Sequence, residues 1–468
     1  MTKDNTIQKS MGWSLFSEVA VKFFVPITNM ILARVLTPDA FGVVAVCNML
    51  VSFVDLITDA GFGKYLVQHD FDSETEKAQY ADVSFWTNLA ISVLMTMLII
   101  LFRFPIASFL GHRNYGNVIA IASVQLMITS VSSIQTALFR RQFEFKKLFA
   151  ARISVAASPL MITVPLALIM RSFWALVIGN IFGALVNAAV LTVFSKWRPS
   201  FFYSTAILKR MFNYSFWSLC EALANWVIFW VDTFIVGSMF SEYQLGLYKN
   251  STNMVQSIMG MISASMSPVL LSTLSRLKNS KKEYSNAFLN IYHLILYLVL
   301  PMGTGLFLYR ETATLLLFGS QWSKAANIVG AWGLMMLCSV TFYSFPAELY
   351  KSKGIPQVLF LFQILYLIIL IPSCVVSAGF GFWIMVYTRC LCVLWQVLIS
   401  IIFMKQYIGI ALDKFFAVFM MPCLATGCMI IGSIFMKKFL RGTLGDIAAI
   451  IGCMVIYFTF LAVLQGSG

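Results

Sequence analysis

The chain has 468 residues, of which 60% are hydrophobic and only 11% charged, with a mean hydropathy of +0.84 and a formal net charge of +14. A soluble protein carries about a quarter charged residues, so a water-soluble globular fold is excluded. The apolar residues also fall into long uncharged blocks, among them 121–134, 153–170 and 358–371.

A helix needs about 20 such residues to cross a hydrocarbon core of about 30 Å, because lipid offers the backbone no hydrogen-bond partner. Residues 1–10 are polar and lead straight into the first apolar stretch. No short apolar core with a small-residue cleavage site precedes it, so the first span is expected to be retained. Spans 1 to 6 are predicted at about 11–35, 41–60, 82–103, 116–138, 150–170 and 173–194. Spans 7 to 14 are predicted at about 212–239, 246–274, 284–308, 325–350, 356–376, 380–404, 413–436 and 444–464. The fold class is therefore an all-α integral membrane protein with about 14 transmembrane helices.

Fourteen crossings place both ends of the chain on one side. With the N-terminus inside, 21 of the 33 lysines and arginines fall in cytoplasmic segments, 9 fall outside, and Lys22, Lys249 and Arg389 lie within spans. The positive-inside rule then puts both termini in the cytoplasm. The positive charge reads as topology and contact with anionic headgroups, not as nucleic-acid binding. The nine cysteines sit almost wholly in apolar stretches without paired spacing and read as reduced, buried, small side chains.

Sliding the chain against itself by 204 residues aligns several features. Trp13-Ser14-Leu15 falls on Trp217-Ser218-Leu219, and Phe41-Gly42-Val43 on Leu245-Gly246-Leu247. Lys77 and Tyr80 fall on Lys281 and Tyr284, and with a small insertion 137–140 lies over 347–350. Spans 1–6 and 7–12 therefore read as two copies of one six-helix bundle in parallel orientation. The expected domains are 1–195 as the N-lobe, 196–211 as a cytoplasmic linker, 212–404 as the C-lobe and 405–468 as two added spans. Parallel repeats about an axis along the membrane normal place a substrate path between the halves, which points to a transporter.

The run 31–42, Ile-Leu-Ala-Arg-Val-Leu-Thr-Pro-Asp-Ala-Phe-Gly, resembles the first hairpin of Wzx-type polysaccharide and O-antigen flippases. These belong to the multidrug/oligosaccharidyl-lipid/polysaccharide exporter superfamily. Val231-Asp232-Thr233-Phe234-Ile235-Val236-Gly237 with Leu245-Gly246-Leu247-Tyr248 supplies its counterpart, and 139–145 resembles the basic-aromatic loop after the fourth span. The resemblance covers nearly the whole chain. It implies two six-helix lobes in a V around a central cavity. The implied cargo is an undecaprenyl-pyrophosphate-linked oligosaccharide, turned from the inner to the outer leaflet of a bacterial inner membrane. An inward H⁺ or Na⁺ gradient is implied as the driving force, with a polymerase or a glycosyltransferase as candidate protein partners.

Such a cargo has an anionic pyrophosphate and a polar glycan, so its carrier needs a hydrated cationic cavity open to the bilayer. A charge within the membrane costs several kcal/mol unless it meets water or a partner, which makes each one a site candidate. Lys22 reads either as a pyrophosphate contact or as the partner of Glu18 one turn away. Lys249 either lines the cavity or snorkels to the interface. Arg389 lies too deep to snorkel and is expected to face the cavity or an acid, and Arg34 in the first motif is the fourth cationic candidate. Asp232, Glu221 and Glu18 are candidates for ion coupling, Asp232 alternatively as a partner for Arg389. Asp55 and Asp59 read as partners of Lys64 or as solvent-facing. Pro26, one turn past Lys22, is a candidate hinge.

His69, His112 and His293 lack metal-ligand spacing, and Gly61-Phe62-Gly63-Lys64 is not a P-loop. No nucleophile elbow and no His/Cys cluster is found, so no enzyme activity, cofactor or metal is expected. A drug or cation antiporter of the same superfamily would share the fold but prefer an acidic, aromatic cavity. A membrane polymerase or glycosyltransferase would be expected to carry a large extramembrane loop, and the longest loop here has about 20 residues.

Overall fold

The computed structural model describes residues 24–59, 61–277, 280–409, 412–440 and 442–466. Among them all regular structure is helical. Thirteen helical stretches are long and apolar enough to cross a membrane, and a shorter apolar helix, Phe24–Val35, precedes them. Together these correspond to the fourteen expected spans. Contacts divide the chain into two compact units, the described residues up to Lys249 and those from Asn250 onward.

The first unit contains α1 (Phe24–Val35), α2 (Pro38–Asp59), α3 (Phe62–Gln68), α4 (Glu74–Leu101), α5 (Arg103–Phe109), α6 (Gly116–Arg141), α7 (Phe145–Ser158), α8 (Val164–Met170), α9 (Trp174–Phe194) and α10 (Thr205–Met239). It ends within α11 (Glu242–Leu277). Two helices start earlier than hydropathy predicts, for reasons of capping. Ser73 accepts from the Glu76 N–H at 3.0 Å while Glu76 Oε2 accepts from the Asp72 N–H at 2.7 Å, which sets the start of α4. Ser204 caps α10 by accepting from the Ile207 N–H, without a reciprocal acid, so the second half of the expected linker is helical.

The rest of that linker is strapped to α4. Asp82, 3% exposed, accepts from Trp197 Nε1 at 3.1 Å and from the Ser200 N–H at 3.2 Å, and also from Ser200 Oγ. Trp86 Nε1 donates to Ser200 O at 2.7 Å and its ring stacks on Phe201. At the same end Arg141 closes the last turn of α3, donating to Leu66 O at 3.1 Å and to His69 O, as a cation at a helix C-terminus should. Beside it burial, with Tyr80 alongside, pushes the Tyr65 hydroxyl up to about 12.

Small and polar residues hold these helices together, as expected where lipid removes the hydrophobic drive for association. A methyl on Gly179 of α9 would overlap the Thr163 side chain, and Gly183 lies against Ser158 one turn on. Gln135 of α6 pairs with Thr192 of α9 at 3.0 Å, and Asn187 donates to Ser132 at 3.3 Å. Between α7 and α8 the chain makes a π turn over Pro159–Thr163, a common response to a proline that cannot donate to the helical ladder.

The second unit contains the remainder of α11, then α12 (Lys281–Leu308), α13 (Arg310–Phe318), α14 (Ala326–Ser339), α15 (Phe345–Ser352), α16 (Pro356–Ala378), α17 (Phe382–Phe403), α18 (Leu412–Phe439) and α19 (Gly442–Gly466). A second π turn, Val340–Ser344, joins α14 to α15, and the fully buried Tyr292 of α12 donates to Thr341 O there at 2.9 Å. Gly303 and Gly333 let α12 and α14 cross closely.

Candidate functional site

In α2, Asn48, Ser52, Asp55 and Asp59 recur at the i, i+4, i+7, i+11 spacing that places them on one helical face. Asn48, in the middle of this 22-residue apolar helix, and Asp55, one turn from its end, are both exposed. Asn180 of α9, also exposed, donates to Asn48 Oδ1 at 3.0 Å, and Thr129 of α6 donates to Asp55 Oδ1 at 3.0 Å. Ser52 accepts from Trp226 Nε1 of α10 at 3.0 Å. Carboxamides, hydroxyls and a carboxylate are costly at membrane depth unless they meet water or a polar ligand. This face is therefore the best-supported polar ligand surface of the first unit.

The neighbouring face of α2 is different in chemistry. Met49, Leu50 and Phe53 line a cavity of about 670 Å³ with Phe102, Pro105, Ile106, Phe109 and Leu110 from α5 and its ends, and Trp226, Val227, Val231 and Phe234 from α10. Its walls are carbon. The one hydrogen-bonding group among these side chains, the Trp226 N–H, is turned to Ser52.

At the Pro38 end of α2 the chain crosses the start of α11 through two glycines. A Cβ on Gly42 would overlap the Glu242 carbonyl oxygen, and one on Gly246 would overlap that of Pro38. These glycines are the repeated pair found at the 204-residue offset. Beside the crossing, His112, 5% exposed, places Nδ1 3.3 Å from Glu242 Oε1.

The charges singled out in the sequence are distributed as follows. Lys22 and Glu18 lie outside the described residues, as do Trp13-Ser14-Leu15. Pro26 is buried near the start of the described part of α1, and Arg34 is exposed in its last turn. Lys249 is 6% exposed, so it does not snorkel: Nζ sits 4.1 Å from the Phe229 ring centre and 4.0 Å from that of Trp230. Asp232, 3% exposed, accepts from Tyr248 at 2.9 Å through one oxygen and from the Thr233 N–H at 2.6 Å through the other. The motif around Asp232 is thereby tied to Tyr248 in the motif that follows it. Glu221 pairs loosely with Lys64 at 3.7 Å, both half-exposed. In the second unit Arg389, 6% exposed, donates to Tyr366 at 2.9 Å, with its guanidinium 5.2 Å from the Trp332 ring centre.

Charge alone singles out Asp55 and Asp59 as partners of Lys64 or as solvent-facing, and does not single out Asn48, Ser52, Thr129 and Asn180. The signal that finds them is the helical spacing of the four polar positions in α2 within a span otherwise apolar.

Residues 31–327 match the family described as polysaccharide biosynthesis protein. The succinoglycan biosynthesis transport protein ExoT of Rhizobium meliloti is 27% identical over 340 residues, covering 71% of this chain and 68% of that protein. The lipopolysaccharide biosynthesis protein WzxC of Escherichia coli is 20% identical over 375 residues, covering 78% of this chain and 74% of its own. Among solved structures, the lipid II flippase MurJ in an inward closed conformation superposes with a TM-score of 0.78 at 12% identity, covering 98% of this chain and 99% of the other. That likeness shows the fold alone. The family match spans well over half of the sequence, and the chain belongs to the polysaccharide biosynthesis protein family.

Proposed function

We propose that the protein carries an undecaprenyl-pyrophosphate-linked oligosaccharide from the inner to the outer leaflet of a bacterial cytoplasmic membrane, for O-antigen, exopolysaccharide or capsule assembly. The observation that carries this reading is the row Asn48, Ser52 and Asp55 with Asn180 and Thr129, hydrogen-bonding groups within the spans of which Asn48, Asp55 and Asn180 are exposed. Sugars are bound through such groups, and carboxamides and a carboxylate have more donor and acceptor positions than the bonds they make with one another here use. The names of the relatives, a succinoglycan transport protein and a lipopolysaccharide biosynthesis protein, support the same cargo class.

In this proposal spans 1–6 and 7–12 are the lobes of an alternating-access carrier, with spans 13 and 14 appended and both termini cytoplasmic. The Pro38 end of α2 then faces outward, and the Gly42–Gly246 crossing closes that side. Lys22, Lys249, Arg389 and Arg34 are the proposed contacts of the pyrophosphate. The aromatic faces that hold Lys249 and Arg389 are worth about 0.5–2 kcal/mol each. A doubly anionic group in a weakly screened site competes with them easily. Asp232, Glu221 and Glu18 are the proposed carriers of H⁺ or Na⁺, and Pro26 is the proposed hinge.

The test is reconstitution of the full chain into vesicles holding a fluorescent undecaprenyl-pyrophosphate oligosaccharide, with an impermeant quencher added outside. Protein-dependent equilibration of the label between leaflets, accelerated by an ion gradient, is the expected result. A label that stays in its leaflet at confirmed protein incorporation would sink the proposal.

A further inference from the structure

The carbon-walled crevice between α2, α5 and α10 has no part in the handling of sugar or phosphate. It lies beside residues 49–53, near the middle of α2, and beside 226–234, within the apolar stretch of α10. Its α5 wall comes from the connection that follows the third span, so it runs from hydrocarbon depth toward the end of the spans. Its walls are rich in aromatic rings. Phe53 and Trp226 pack with ring centres 4.8 Å apart, and Phe109 and Phe234 with centres 5.5 Å apart.

The crevice is also continuous with the polar row. Met49 and Phe53 follow Asn48 and Ser52 directly in sequence, so the two chemistries occupy adjoining faces of one rigid helix. The join between them is the hydrogen bond from Trp226, whose ring lines the crevice, to Ser52 in the row. A surface that is polar on one side of a seam and wholly carbon on the other is complementary to an amphiphile lying across it.

We propose that this crevice holds the polyisoprenyl chain of the cargo close to its pyrophosphate while the glycan lies along the polar row; the inference rests on the flippase reading above. Hydrophobic transfer contributes nothing here, because bulk lipid is as apolar as the crevice. Discrimination comes from packing. A polyisoprenyl chain presents a methyl branch and a double bond in every repeat, and these fill an aromatic, irregular wall by dispersion contact. A saturated acyl chain leaves gaps there. Tethering to a head group held on the adjoining face raises the local concentration of the chain further.

The experiment uses the purified full chain and two probes, undecaprenyl phosphate and a palmitoyl-oleoyl phosphatidylglycerol at equal concentration, read by native mass spectrometry. Wild type should retain undecaprenyl phosphate in preference. Leu50→Trp with Val227→Trp fills the crevice and should reduce that retention roughly tenfold, as expected for losing on the order of ten dispersion contacts. Should the filled variant fold poorly, p-benzoylphenylalanine at position 53 gives an independent reading in an otherwise intact protein. Light should link it to undecaprenyl phosphate, while the same group at Phe416, exposed on α18, should take phosphatidylglycerol. Equal retention of the two lipids by wild type overturns the proposal. So does undiminished retention by a well-folded filled variant, or phosphatidylglycerol as the main adduct at position 53. Selective retention by a protein that flips nothing would overturn the transport reading and leave the chain site standing.

Discussion

Gly42 and Gly246 meet where α2 crosses α11, each so close to the other helix that its missing side chain is what permits the contact. Gly246→Ala would place a methyl on the Pro38 carbonyl oxygen and force the two helix ends apart, costing about 1–3 kcal/mol of overpacking. Cys47, one turn along α2 and 2% exposed, reports the change. In a variant retaining only that cysteine, alkylation should become several-fold faster on adding Gly246→Ala. Unchanged alkylation would mean the crossing does not hold that end closed.

His112 and Glu242 flank the same crossing, and the imidazole is almost fully enclosed. Glu242→Ala leaves a buried ring nitrogen without its partner and should lower stability by about 1–3 kcal/mol. Glu242→Gln keeps an acceptor and should cost less. Melting temperatures in detergent separate the two, and an alanine variant as stable as wild type would refute the role.

Asp82 gathers the linker through two donors on Ser200 and one on Trp197. Asp82→Ala should destabilise the strap by about 2–3 kcal/mol, since bonds to a charged acceptor are the stronger kind. Trypsin should then cut after Lys196 many times faster than in wild type, where that peptide bond lies beside the clamp; Arg198 precedes Pro199 and is not a tryptic site. Equal cutting rates would contradict this account.

Asn48 and Asn180 satisfy each other at 3.0 Å on the exposed polar face. Replacing both with leucine removes donor and acceptor together, which is close to neutral for folding. Surface glycan in a flippase-deficient host should nevertheless fall to near background at normal protein levels. Full restoration would show that the polar row does not serve the cargo.

Much of this architecture is legible in the chain itself, because each crossing must be long, apolar and uncharged whatever it packs against. The glycine pair was also legible, since Phe41-Gly42 and Leu245-Gly246 recur at a fixed offset. The clamp was not, because Asp82 meets Trp197 and Ser200, 115 and 118 residues away, and no local pattern announces so distant a partner. The sequence leaves Lys249 between lining a cavity and snorkelling, because its aromatic neighbours Phe229 and Trp230 come from another helix and no local pattern announces them. The π turns at Pro159–Thr163 and Val340–Ser344 depend on packing against neighbours and leave no hydropathy signal.

The two faces of α2 have a consequence for register. Each residue of an α-helix advances about 100° around the axis, so one residue inserted after Met49 would swing Ser52 and Asp55 toward the side the crevice occupies and carry Phe53 away from it. Hydropathy and span length would hardly change, and the helix would still insert. Insertions within α2 should therefore be far more damaging to transport than additions to the lipid-facing spans, where every rotation presents the same oily surface.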